Sequence, residues 1–204
     1  MLHYRSDHPN HVHQLVISVS KNFYLDEKEN ILRYQKKDMN VSLASLEKAK
    51  KRHMIIYSIR DHCSGVFYSE ISFAPKIFRP QDFLSRAWGI KEDYDFRGIP
   101  DCLTIPKTLQ EKFPDLVQDI TKLGIKLLEV TSGFQGGIRD INTIEKALLI
   151  SANRDISDAL HWVSEIYRSI SKQKARISEI TKIEMWASGV PEIVVPPLNW
   201  GKDS

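Results

Sequence analysis

Four imidazoles crowd the start of the chain at His3, His8, His11 and His13. Such nitrogens suit a transition metal, but no thiolate or carboxylate accompanies them at finger-like spacing, so a surface histidine cluster is expected. Asp61-His62-Cys63-Ser64 sets an acid, a base, a thiol and a hydroxyl side by side. Adjacent residues point apart, and a nucleophilic site needs an orienting acid and an oxyanion hole, so Asp61 reads as a turn former. Gly133-Phe134-Gln135-Gly136-Gly137 has neither the Gly-Lys-Ser/Thr ending of a phosphate loop nor the strand-GxGxxG-helix spacing of a dinucleotide site, and reads as a flexible loop. Asn142-x-x-Glu145 has the spacing of a capping box, in which the glutamate reaches back to the backbone N–H at the cap. The basic residues gather as Lys48, Lys50, Lys51 and Arg52, and again as Arg168, Lys172, Lys174, Arg176 and Lys182. Together with Arg139 they can neutralise phosphates, which would make any nucleic-acid affinity salt-dependent.

The chain that must position these groups has 204 residues, 42% of them hydrophobic and 27% charged, enough to bury one core without disulfides. Lys plus Arg is 29 against 26 for Asp plus Glu, a formal charge of +3, far below that of a DNA-coating tail. Cys63 and Cys102 stand apart, and the first residues lack the apolar stretch of a secretory leader, so the expected compartment is the cytoplasm. No apolar run approaches the roughly 20 residues that cross a bilayer, and no membrane role is expected.

Val12, Val16, Ile17 and Val19 mark His11 to Ser20 as a buried strand. Asn22 to Lys37 reads as a separate, more exposed hairpin turning at Asp26 to Asn30. His53 to Arg60 and Val66 to Phe73 form the clearest hairpin, joined by Asp61 to Gly65. Pro80 opens a helix running to Trp88, Cys102 to Ile105 is a short strand, a helix follows Pro114 and stops at Gly124, and Ile125 to Val130 is the last strand. Thr131 to Ile141 is expected as a loop. From Ile156 the residues Leu160, Val163, Tyr167, Ile170, Ile177 and Ile180 recur at helical spacing, and a tail with Pro191, Pro196, Pro197 and Trp200 follows.

That order, with four local strings, resembles the catalytic core of the integrase and DDE transposase group. Pro9-Asn10-His11-Val12-His13-Gln14-Leu15-Val16-Ile17-Ser18 is similar to the family's entry to its first strand, Pro-Asn, Trp, two residues, Asp, one residue, Thr. Ile59 to Gly65 resembles its second hairpin. Gly98-Ile99-Pro100-Asp101-Cys102-Leu103-Thr104-Ile105 resembles the lead into the strand that ends in Thr or Ser followed by Asp, and Gly136 to Glu145 the loop that delivers the helix with the last catalytic acid.

The resemblance implies an α/β, ribonuclease H-like fold: a mixed five-stranded sheet flanked by helices over residues 1–152, with a C-terminal helical extension, 153–204, packed on it or on a partner. In that family two aspartates and a glutamate hold two divalent metals for phosphodiester chemistry. Carried over, those positions are Val16, Ile105 and Glu145. Two aliphatic side chains cannot ligate Mg²⁺ or Mn²⁺, which need hard oxygen donors, so no cofactor and no metal-dependent activity are expected. Asp101 shares a strand face with Ile105 but sits about 13 Å away at roughly 3.3 Å per residue, too far to substitute. The expected function is a catalytically inactive core acting as a nucleic-acid-binding or assembly component of a mobile-element or phage-related system. DNA, through Lys48, Lys50, Lys51, Arg52, Arg139, Lys172, Lys174 and Arg176, and transposition or recombination proteins are its expected partners. A homodimer or hetero-complex through the C-terminal helix is the expected assembly. The alternatives are an adaptor that dimerises through its late helix without touching DNA, and a polynucleotidyl transferase or nuclease with an altered acid set using Mg²⁺ or Mn²⁺.

Overall fold

The computed structural model describes residues 6–37, 41–129, 136–150, 155–176 and 178–202. Its central strand, β1 (Val12–Leu25), is flanked on both sides in the sheet, which is why its β-branched residues run nearly without alternation. β1 pairs antiparallel with β3 (Arg52–Asp61), and β3 with β4 (Phe67–Phe73). On its other side β1 runs parallel to β5 (Cys102–Thr104), and β5 parallel to β6 (Lys126–Leu128). The order is β4-β3-β1-β5-β6, and β2 (Ile31–Arg33) adds to the far half of β1 as a sixth strand.

Six strands rather than five follow from one local feature. The hairpin read separately at Asn22 to Lys37 has its first arm in β1 itself, because the strand passes through an irregularity between Val19 and Tyr24 instead of ending at Ser20. There Ser20 Oγ accepts from the backbone N–H groups of Asn22 and Phe23, each at 3.1 Å, in place of the strand ladder. Such a bulge re-aims side chains without ending the strand.

The helices cover the sheet. α1 (Pro80–Trp88) begins at its proline as expected, and Lys91 Nζ closes its other end by donating to the carbonyls of Arg86, Ala87 and Gly89. α2 (Lys107–Lys112), which the sequence pattern did not reveal, precedes α3 (Pro114–Lys122), and Gly124 with φ +79° ends that segment. α4 (Gly136–Ile150) starts earlier than expected, so Gly136 to Ile141 is helix; residues 131–135 lie outside those described. Asn142 is therefore interior to α4 and caps nothing. A capping box does occur at Thr181 and Glu184, where α6 (Lys182–Gly189) begins.

The late helical stripe is also divided. α5 (Ile156–Ser171) starts on an Asp155 cap and ends ten residues before Thr181; Ile180 falls in the connection to α6, and Ile177 lies outside the described residues. Tyr167 of α5 packs on Phe67 and Tyr68 of β4 and on Tyr94, so this helix turns its aromatic face to the chain's own sheet. Val163, Trp186 of α6 and Trp200 of the tail belong to the same buried cluster as Leu15, Ile56 and Phe83. Leu160, also read as part of that stripe, stays 46% exposed.

Candidate functional site

Gly136 and Gly137 carry α4 onto the sheet. A Cβ at Gly136 would stand 2.7 Å from Arg60 Cδ and Gln14 Oε1, and one at Gly137 would stand 2.6 Å from Val16 Cγ2. These glycines, read from sequence as loop flexibility, permit close approach of helix and strand. Between the two elements lies a cleft of about 290 Å³ lined by Val16, Ser18, Val19, Lys21 and Asn22 of β1, by Lys37, and by Ile138, Ile141, Asn142 and Glu145 of α4.

Of the three positions that correspond to the family's acids, Val16 and Glu145 meet in this cleft. Ile105 does not line it; it is 2% exposed, just beyond β5, where Thr104 pairs with Gln14 of β1. Glu145 is held by the bulge: Ser20 Oγ donates to Oε1 at 2.5 Å and Asn22 Nδ2 to Oε2 at 3.0 Å. The capping role expected of Glu145 is thus replaced by a contact 125 residues away in sequence, which local spacing cannot reveal.

The acid that sequence reasoning missed is Asp140. It lies in the same string as Glu145, and once the helix is seen to start at Gly136 it falls one turn beyond Gly137, on the face packed against the sheet. Arg60 Nη1 donates to its Oδ1 at 2.6 Å. Burial nevertheless pushes its carboxyl up to about 6, with Arg60, Lys182 and Arg139 pulling the other way.

These residues do not fit a pair of magnesium ions, each of which wants near-octahedral oxygen ligation. Val16 and the buried Ile105 offer no lone pair and the charge of Asp140 is matched by a guanidinium, which leaves Glu145 as the single carboxylate lining the cleft. Among the described residues, no group of three or more His, Cys, Asp or Glu side chains converges as metal ligands do.

At the start of β1, the strings that carried the resemblance build a buried polar network. Trp88 Nε1 donates to His13 Nδ1 at 3.1 Å, so the ring carries its proton on Nε2, which donates to Asn10 Oδ1 at 3.0 Å. Trp186 Nε1 donates to the same Asn10 oxygen at 3.0 Å. Asp61 accepts from Asn10 N, Ser64 N and Ser64 Oγ, and so organises the hairpin turn. Burial drives His13 down to about 3, so the ring is neutral and its 4.0 Å separation from Asp61 is not an ion pair. The other described histidines of the N-terminal group do stand together: His8 and His11 stack at 5.2 Å, with His8 3.4 Å from Asp101 and His11 3.6 Å from Asp7. His3 lies outside the described residues.

The basic residues do not form one surface. Lys48, Lys50, Lys51 and Arg52 stand at the start of β3, where Lys51 Nζ lies 3.8 Å over the Tyr24 ring and 4.7 Å over that of Tyr34. Lys172, Lys174 and Arg176 lie in the α5–α6 connection, with Lys174 bound to Glu179 at 2.5 Å. That connection meets the opposite end of β3, because Lys182 donates to Gln173 O and its chain passes Gly65 beside Arg60. Ten strand residues at roughly 3.3 Å each separate the two groups by about 30 Å. Arg139, exposed on α4, belongs with Arg60 and Lys182 around Asp140. Lys21 and Lys37, which line the cleft, were not singled out from sequence.

No protein-family model matches the chain, and no curated protein matches it. Solved structures do. A chain of the simian T-cell lymphotropic virus intasome in complex with PP2A regulatory subunit B56 gamma aligns with a TM-score of 0.59 at 13% identity, over 97% of this chain and 62% of that one. The present chain thus spans less than two thirds of that chain's length. The HTLV-2 integrase catalytic core domain in complex with magnesium, in its dimeric form, aligns with a TM-score of 0.51 at 14% identity, over 89% of this chain and 99% of that one. The likeness establishes the fold, the ribonuclease H-like fold of integrase catalytic cores, as the sequence strings implied.

Proposed function

We propose that this protein is a nucleic-acid-binding or assembly component built on an integrase-core fold, without nuclease or strand-transfer activity of its own. One observation carries the reading. Where that chemistry needs converging carboxylates, β1 supplies Val16, the residue after β5 is the buried Ile105, and of the two acids of α4 Asp140 is paired with Arg60, so Glu145 is the single carboxylate lining the cleft. A metal-bridged transition state has no ligand set there. Binding is supported by the two basic groups and by Arg139 on α4. We assign the core to 1–152 and read 153–204 as a clamp on it, a role supported by the burial of Val163, Tyr167, Trp186 and Trp200. The intasome likeness favours a role within a nucleoprotein assembly, with DNA and recombination proteins as partners.

The test is an assay of cleavage and joining on a labelled duplex with Mg²⁺ or Mn²⁺. No product is expected with either metal. Product formation that Glu145→Ala abolishes would overturn the reading.

A further inference from the structure

We propose that the cleft between β1 and α4 binds a small organic phosphate with a planar apolar body, a nucleoside monophosphate being the matching class. Its chemistry is divided along its length. Val16, Val19, Ile138 and Ile141 supply aliphatic wall, with Ile138 55% exposed. Lys21 and Lys37 line it with Glu145 as the single carboxylate, a balance of charge that favours an anion. Asn142 adds a side-chain amide from the exposed face of α4.

A volume of about 290 Å³, apolar walls and a few polar lining groups are the attributes of a small-molecule site at about the lower limit of the usual size. Glu145 gives it direction. Each of its oxygens takes one donor, from Ser20 or Asn22, while a carboxylate has about four acceptor positions, so both oxygens keep capacity for further N–H donors. A guanine base presents two adjacent N–H donors, at N1 and N2, on one edge. With that edge on Glu145, the ring lies along Val16 and Ile141 and the phosphate reaches the lysines. The valine that disqualifies the site for metal is an advantage here, since an aliphatic side chain makes a good surface for a ring. This inference stands apart from duplex binding, which uses the outer basic groups.

Isothermal titration with GMP in EDTA, with inorganic phosphate as the control, tests it. GMP binds saturably, and phosphate alone binds at least about tenfold more weakly because the apolar wall is unused. Ile138→Glu, which charges the exposed wall, and Asn142→Phe, which fills the cleft from the solvent face of α4, each weaken GMP by about tenfold or more with the thermal unfolding midpoint unchanged. Lys107→Glu, on exposed α2, has no effect. Absence of GMP binding, equal affinity for phosphate, or indifference to both cleft variants overturns the proposal. Duplex binding is measured separately on the same preparations. Duplex binding without GMP binding refutes this inference alone, and GMP binding without duplex binding refutes the nucleic-acid reading alone.

Discussion

Acidification should loosen this fold through the His13 ring. His13 is fully buried, accepts at Nδ1 from Trp88 and donates from Nε2 to Asn10, so a second proton has no place without breaking the Trp88 contact. Its folded pKa is down at about 3, against 6.5 in the unfolded chain. Between those values the unfolded state binds the extra proton and the folded state does not, so stability is complete above pH 6.5 and is lost as pH falls. At about 1.36 kcal/mol per pH unit, the loss at pH 5 is about 2 kcal/mol, a large share of the 5–15 kcal/mol typical of a domain. The assay is urea unfolding of the protein and of His13→Gln at pH 7.5, 6 and 5. Glutamine offers a similar donor and acceptor but does not titrate, and every other group cancels in the difference. The advantage of the wild-type protein over the variant, whatever its size at pH 7.5, should shrink by about 2 kcal/mol at pH 5. A difference that stays flat with pH would refute the buried, neutral imidazole.

Asp140 works in the opposite direction. Its carboxyl is raised by burial from 3.8 to about 6, so protonation favours the folded state, and this contribution, complete below pH 3.8, is lost as pH rises through 6. Relative to Asp140→Asn, the wild-type protein should gain about 2.5 kcal/mol between pH 7.5 and 4 in the same unfolding assay; a loss over that range would contradict the assignment. Trp186→Ala should cost about 3–5 kcal/mol by chemical denaturation, because Trp186 is 2% exposed and its indole N–H reaches Asn10 at the start of the sheet. A cost below about 1 kcal/mol would mean that α6 does not clamp the core.

Much of this architecture was legible because it is written in local chemistry. The Asp61–Gly65 turn, Pro80 and Pro114 at helix starts, and Gly124 at a helix end each act within a few residues. What stayed hidden depends on contacts across the chain. Ser20 to Asn22 looks like a strand end until Glu145 arrives from α4 to meet both side chains. Gly136 and Gly137 look like a loop until Val16 and Gln14 are beneath them. Asp140 is hidden in sequence because the start of α4 at Gly136 decides which acid faces the sheet, and two glycines do not announce a helix start. The late stripe looked continuous because Ile170 and Ile180 keep helical spacing across a connection that carries Lys174 and the Thr181 cap. The division of the basic residues into two ends of β3 likewise needs the strand pairing, since both runs are equally basic in sequence.

The most direct test of the account is fluorescence anisotropy of a labelled DNA duplex titrated with the protein in EDTA at 50 and 200 mM salt. Metal-independent binding through lysine and arginine predicts an affinity that falls steeply with salt, by about 0.9 in log–log slope for each phosphate neutralised, and that added Mg²⁺ does not strengthen through the cleft. No binding at the lower salt, or binding that appears only when Mg²⁺ is supplied, would contradict it.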